Sequence, residues 1–120
     1  DDPQGLADID TVTANLAACF AQSGVSVLLV DADLRRPTAH RIFGAKVGPG
    51  LADVLSGQAG FDEVVERTGY EKLSLMTAGS AVAGPAELLQ SEAFDDFLAK
   101  ATATFQLVLL DTGPILSVSD

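Results

Sequence analysis

Three short stretches dominated by Val and Leu set the pattern of this chain: Val25 to Val30, Leu73 to Met76 and Leu107 to Leu110. The first lacks the polar alternation of a half-wet strand, which predicts a strand buried on both faces of a parallel sheet; Leu107 to Leu110 reads as a further buried strand and Leu73 to Met76 as a short one. Between them the apolar positions recur at helical spacing. From Thr11 to Ser23, residues Val12, Leu16, Cys19 and Phe20 share one face, so a helix is expected there with that face and Cys19 in the core, stopped by Gly24. Gly50 to Leu55 and Phe61 to Glu66 read as two short helices separated by Ser56 and Gly57. The strand at Leu73 to Met76 runs out in Ala78-Gly79, and Gly79 to Gly84 reads as a flexible loop. Pro85 suits the first position of a further helical turn. Ser91 is placed to cap a longer helix whose Phe94, Phe97 and Leu98 face inward. Its acids Glu92, Asp95 and Asp96, with Glu87 just before it, read as a solvated face.

Strands alternating with helices predict an α/β fold with a doubly wound, mostly parallel sheet. Residues 1–120 read as one domain, with no repeat or linker. It reads as part of a larger one: no strand leads into the first helix, and the chain stops at Asp120, soon after Gly113 and Pro114 break the third strand.

Composition narrows the function classes. Seven basic against seventeen acidic residues give a formal charge of −10. Nucleic-acid binding needs clustered Lys and Arg on a phosphate-facing surface, so that class is excluded. No stretch reaches the ~18 apolar residues of a membrane span, and no secretory leader is visible. With Cys19 as the sole cysteine, no internal disulfide forms and a reducing, cytoplasmic setting is expected.

The chemistry gathers where the apolar runs end. Asp31 and Asp33 follow the first strand and Asp111 the third, so in a parallel sheet all three emerge on one edge, near the start of the Thr11 helix. Ligands of open α/β sheets bind at such carboxyl ends. Clustered carboxylates there suit Mg²⁺, a hard cation with oxygen ligands. The competing reading is that Asp terminates strands simply because it forms turns and caps helices.

Four motifs occur in a fixed order: Val30-Asp31-Ala32-Asp33-Leu34-Arg35-Arg36-Pro37, then His40-Arg41-Ile42-Phe43-Gly44, then Gly50-Leu51-Ala52-Asp53-Val54-Leu55-Ser56-Gly57, then Pro85-Ala86-Glu87-Leu88-Leu89. Together, from about Thr11 to Asp120, they resemble the bacterial tyrosine kinases of capsular and exopolysaccharide assembly. The related MinD-type and ParA-type ATPases share the acidic strand ends but are not expected to carry the Arg-Arg-Pro and Pro-Ala-Glu-Leu-Leu pair. The resemblance implies a P-loop NTPase-like fold with ATP and Mg²⁺ as cofactors. Under it Asp31 and Asp33 fall on the second acidic motif, used for metal organisation and proton acceptance, and Asp111 falls on the Walker B acid that holds Mg²⁺. It also implies a membrane polysaccharide co-polymerase or adaptor as partner, a homo-oligomer in the full-length protein, and a place at the inner face of the cell membrane.

The phosphate loop departs from that family. Gly-Lys-Ser-Thr is expected just upstream of Ala14-Asn15-Leu16-Ala17; counting back at the family spacing, across Val12 and Thr13, this chain has Asp8, Ile9, Asp10 and Thr11, so only Thr11 matches. A phosphate loop works through backbone N–H groups and a positive helix end, with a lysine reaching the outer oxygens. Ile9 brings no charge, Asp8 replaces a glycine, and Asp10 replaces the hydroxyl that would sit on Mg²⁺. A carboxylate stabilises a helix N-terminus by ~0.3–1 kcal/mol, so it competes for the donors a phosphate needs. Like charges ~4 Å apart repel by about 1 kcal/mol in water and about 4 kcal/mol at an effective dielectric near 20.

The expectation is a degenerate, kinase-like domain that regulates polysaccharide assembly by protein contacts, with weak or absent nucleotide binding and with no cofactor in the extreme case. Its competitors are an active ATP-dependent tyrosine kinase, in which Asp10, Asp31 and Asp111 together grip the metal, and a MinD/ParA-like positioning ATPase. His40 has no Cys or His cluster for zinc and reads as a surface or hinge residue; Tyr70 is the sole tyrosine.

Overall fold

The computed structural model describes residues 9–34, 48–80 and 83–112, with side chains from residue 13 onward. Helix α1 (Ile9–Gln22) leads into strand β1 (Val27–Asp31). Two short helices follow, α2 (Leu51–Leu55) and α3 (Phe61–Val64), then strands β2 (Glu66–Arg67) and β3 (Leu73–Met76). Helices α4 (Pro85–Leu89) and α5 (Glu92–Thr104) precede strand β4 (Leu107–Asp111). The sheet order is β2-β3-β1-β4, with β1 parallel to both β3 and β4 and only β2 antiparallel. The expected mostly parallel α/β sheet is therefore present. Strand β2, too short to leave a periodic signal, was not expected; Glu66 belongs to it, and α3 is a single turn.

Strand β1 is buried along its whole length, which is why its side chains are apolar without alternation. Its two faces feed two cores. Leu28 and Val30 join Leu51, Leu55, Phe61, Val64, Met76, Phe97 and Ala101 on the side of α2, α3 and α5. There Phe97 lies 5.8 Å, centroid to centroid, from both Phe61 and Phe94. Val27 and Leu29 join Leu73, Leu75 and α1 on the other side. Strand β4, paired only with β1 among the described residues, is half-buried from Leu107 to Leu110 rather than fully buried as its composition predicts.

Helix α1 corrects one expectation. The sheet-facing residues are Ala14, Ala17 and Ala21, whereas Leu16, Phe20 and Cys19 are exposed. Small side chains at i, i+3 and i+7 let the helix backbone lie close on the sheet, and close packing there outweighs the bulk that the other face offers. Cys19 is thus not a core residue. Leu16→Gln and Phe20→Gln are expected to change the unfolding free energy of this chain by less than about 0.5 kcal/mol each, as exposed substitutions do. Urea denaturation checks this, and a loss of several times that size would restore the predicted face to the core.

Helix α5 begins where expected, with Phe97 buried and Glu92, Asp95 and Asp96 exposed. Ser91 occupies the N-cap position, yet its hydroxyl donates to the Leu88 carbonyl at 2.6 Å and accepts no N–H of the helix. It ties α5 to α4 instead of capping it. No described helix is long and apolar enough to cross a membrane.

Candidate functional site

The chain passes from β1 outward to β3 and then back across β1 to β4. The topological switch therefore falls between β1 and β4, where open α/β sheets hold ligands at the carboxyl ends. The two strands end level, with Asp31 opposite Asp111 in the parallel register. Asp31 is fully buried and Asp111 is 4% exposed. The N–H of Ala32 donates to the Asp111 carbonyl oxygen at 2.8 Å, extending the ladder past the strand ends. The Asp33 N–H donates to Asp31 Oδ1 at 3.0 Å, so Asp31 also forms the tight turn that the competing reading predicted. Asp33 is half-buried just beyond. Two buried carboxylates at a switch point can hold a cation or orient a water, and they repel an uncompensated anion.

Helix α1 runs back along β1 and connects to it through Ser23 to Ser26, so its first turn rises at this same carboxyl edge. The backbone is helical from Ile9, two residues before the predicted start, and this places Ile9, Asp10 and Thr11 in that first turn. The side chains of these three, and all of Asp8, Arg35, Arg36 and His40, lie outside the described residues. Among the described residues no group of three His, Cys, Asp or Glu side chains is placed to hold a metal. Asp31 and Asp111 supply the hard oxygen donors that Mg²⁺ takes, and the third proposed ligand, Asp10, has no described side chain.

Beside these acids stands a latch that the sequence reading missed. Asp53, in α2, accepts the N–H of Gly50 at 2.8 Å and the N–H of Ser80 at 3.1 Å through Oδ2. It thereby ties the start of α2 to the loop leaving the carboxyl end of β3. Two further bonds close the same seam: Leu51 N–H to the Thr77 carbonyl and Ala52 N–H to the Ala78 carbonyl, both 2.8 Å. These absorb donors that a helix start leaves free. The approach is tight enough to require glycine: a Cβ on Gly50 would lie 2.2 Å from the Thr77 carbonyl oxygen. Gly79, at φ +93°, would put a Cβ 2.7 Å from Asp53 Oδ2. The Gly79–Ser80 part of the loop expected to be flexible is therefore pinned, and residues 81–82 lie outside the described ones. Burial pushes the Asp53 carboxyl up, but the hydrogen bonds from Gly50 and Ser80 outweigh it and hold the group below the usual carboxylate range. The signal was there in Gly50-Leu51-Ala52-Asp53, an acid three residues after a helix-start position.

A parallel sheet with acids at its switch point and a helix start beside them defines a P-loop NTPase-like α/β domain. The chain belongs to the family described as AAA domain, whose model matches residues 5–120. It is 41% identical over 110 residues to tyrosine-protein kinase YwqD of Bacillus subtilis, an alignment covering 92% of this chain and 46% of that protein. Among solved structures, the chimerical protein CapA2B2 superposes with a TM-score of 0.86 at 34% identity, over 90% of this chain and 48% of that one. The kinase domain of Escherichia coli tyrosine kinase ETK superposes with a TM-score of 0.83 at 36% identity, over 91% and 43%. The septum site-determining protein MinD of Pyrococcus horikoshii, solved with Mg-ADP, shares the fold at a TM-score of 0.72 and 23% identity. The resemblance to bacterial tyrosine kinases read from the motifs thus holds, and the chain spans about half the length of these relatives.

Proposed function

We propose that this chain is a degenerate tyrosine-kinase-like P-loop domain that regulates exopolysaccharide or capsule assembly through protein contacts, with weak or absent ATP binding. One observation carries the reading: the helix turn holding Ile9 and Asp10 rises at an edge already bearing the buried acids Asp31 and Asp111. Negative charge is thus concentrated where a triphosphate would have to enter, and Ile9 stands where the family has a lysine. Asp31 and Asp33 are vestiges of the catalytic acids in this reading. The partner is a membrane polysaccharide co-polymerase or adaptor, met at the inner face of the membrane, with the longer protein assembling as a homo-oligomer.

The level pairing of Asp31 with Asp111 favours one alternative. With Asp10 they would hold Mg²⁺ firmly enough to seat ATP, and the domain would be an active tyrosine kinase. Calorimetric titration with Mg·ATP separates the two. The degenerate domain is expected to show no saturable heat below millimolar nucleotide. Micromolar binding that disappears in Asp31→Ala would overturn it in favour of the active kinase.

A further inference from the structure

We propose that Tyr70 is a phosphoacceptor, modified in trans by a protein-tyrosine kinase, and that its phosphate docks on Arg67 and Lys72. Tyr70 is the only tyrosine of the chain and is 46% exposed. It stands in the turn that joins β2 to β3, presented by a compact frame. Thr68 Oγ1 accepts the Tyr70 N–H at 3.0 Å and donates to the Leu73 carbonyl at 2.9 Å, and the Leu73 N–H returns to the Tyr70 carbonyl at 3.2 Å. Tyr70 lines an open cavity of about 490 Å³ whose walls include Arg67, Lys72, Ser26, Thr68 and Ser74. In a chain of charge −10, two of the three described cations thus line the one cavity that Tyr70 lines. Glu71 lines the same cavity and is the group a phosphate would turn outward.

The site is remote from the acids. Leu73 is level with Val27, at the amino end of β1, and Asp31 lies four residues further along, about 13 Å at ~3.3 Å per residue. The chain's own switch-point edge therefore cannot reach Tyr70, so the phosphoryl donor sits on another protein. In the step, Tyr70 Oη attacks the γ-phosphorus of the kinase-bound Mg·ATP, and the bond from that phosphorus to the β,γ-bridging oxygen breaks. ADP leaves, and the phenolic proton passes to the kinase's base. The product carries about −1.5 to −2 charge at neutral pH. Lys72, held at φ +69° with Nζ donating to the Gly24 carbonyl at 3.3 Å, then has a stronger acceptor. Phosphorylation would draw it away from the end of α1.

The test mixes the chain with the kinase domain of Escherichia coli tyrosine kinase ETK and Mg·ATP, under conditions in which that domain phosphorylates a tyrosine-containing control peptide. Because ATP is held by the added kinase, this chain's own nucleotide affinity does not enter, and failure here leaves the preceding reading standing. A single phosphate on this chain, detected by intact mass and absent in Tyr70→Phe, is the expected result. No phosphate on the chain overturns the acceptor assignment. The docking is read separately: a tyrosine phosphatase is expected to strip the phosphate about fivefold faster from the Arg67→Ala, Lys72→Ala double variant than from the unmutated chain. Equal rates overturn it.

Discussion

Asp53→Ala is expected to cost this chain about 3 kcal/mol of folding free energy, measured as a shift of the urea midpoint. Asp53 is only 9% exposed and is the shared acceptor for the N–H groups of Gly50 and Ser80. Removing it leaves the buried Gly50 N–H without its partner, at about 1–3 kcal/mol for a donor that water does not reach, and also unties the more exposed Ser80 N–H. The methyl of alanine also leaves Gly79 without the carboxylate it approaches. The sign of the pH dependence follows from the lowered pKa. A carboxyl held below its unfolded value, near 3.9, contributes its stability fully above that value and loses it as pH falls through the folded one. The gap between the native chain and Asp53→Ala should therefore be flat from pH 7 down to about 5 and narrow below about 4. A constant gap down to pH 2 would mean that Asp53 acts by packing alone. Asp53→Asn, which keeps one carbonyl acceptor, should recover part of the loss.

The triple change Asp8→Gly, Ile9→Lys and Asp10→Ser is expected to raise Mg·ATP affinity by at least about a hundredfold, read by calorimetry. It removes two carboxylates from the helix start and adds one ammonium. Each such charge at ~4 Å from a phosphate oxygen is worth about 4 kcal/mol at an effective dielectric near 20, so even heavy screening leaves a large net gain. Glycine at position 8 also lets the backbone approach the phosphates, as phosphate loops require. Adding Asp31→Ala to the triple variant should reverse most of the gain if the β1–β4 edge holds the metal. No gain from the triple change in a folded chain would show that the loop is not what limits nucleotide binding, and the account of its charges would be wrong.

Much of this was legible because it is local. The runs at Val27–Asp31, Leu73–Met76 and Leu107–Asp111 are β-rich and nearly unbroken, so the strands and their acidic ends could be read directly. The four ordered motifs carried the family, since their order outlasts changes at single positions. What failed were judgements of which side of an element faces what. In α1 the apolar bulk of Leu16, Cys19 and Phe20 pointed to the wrong face, because a sequence pattern weighs hydrophobicity and not the closeness of approach that alanines allow. Ser91 was rightly placed at a helix start but donates its hydroxyl to the Leu88 carbonyl of α4, three residues back, a local alternative to capping that the residue type alone does not distinguish.

The sequence by itself determined the alternation of helices with the three apolar strands, the parallel α/β class, the acids at the strand ends and the substitutions in the phosphate loop, all of which depend on neighbours within a few residues. Only the tertiary structure decided that Asp31 stands level with Asp111, that alanines carry α1 on the sheet, and that Asp53 reaches Ser80, 27 residues away. Register, facing and long-range hydrogen bonds are settled by the packing of whole elements against one another, and no local stretch of residues encodes them.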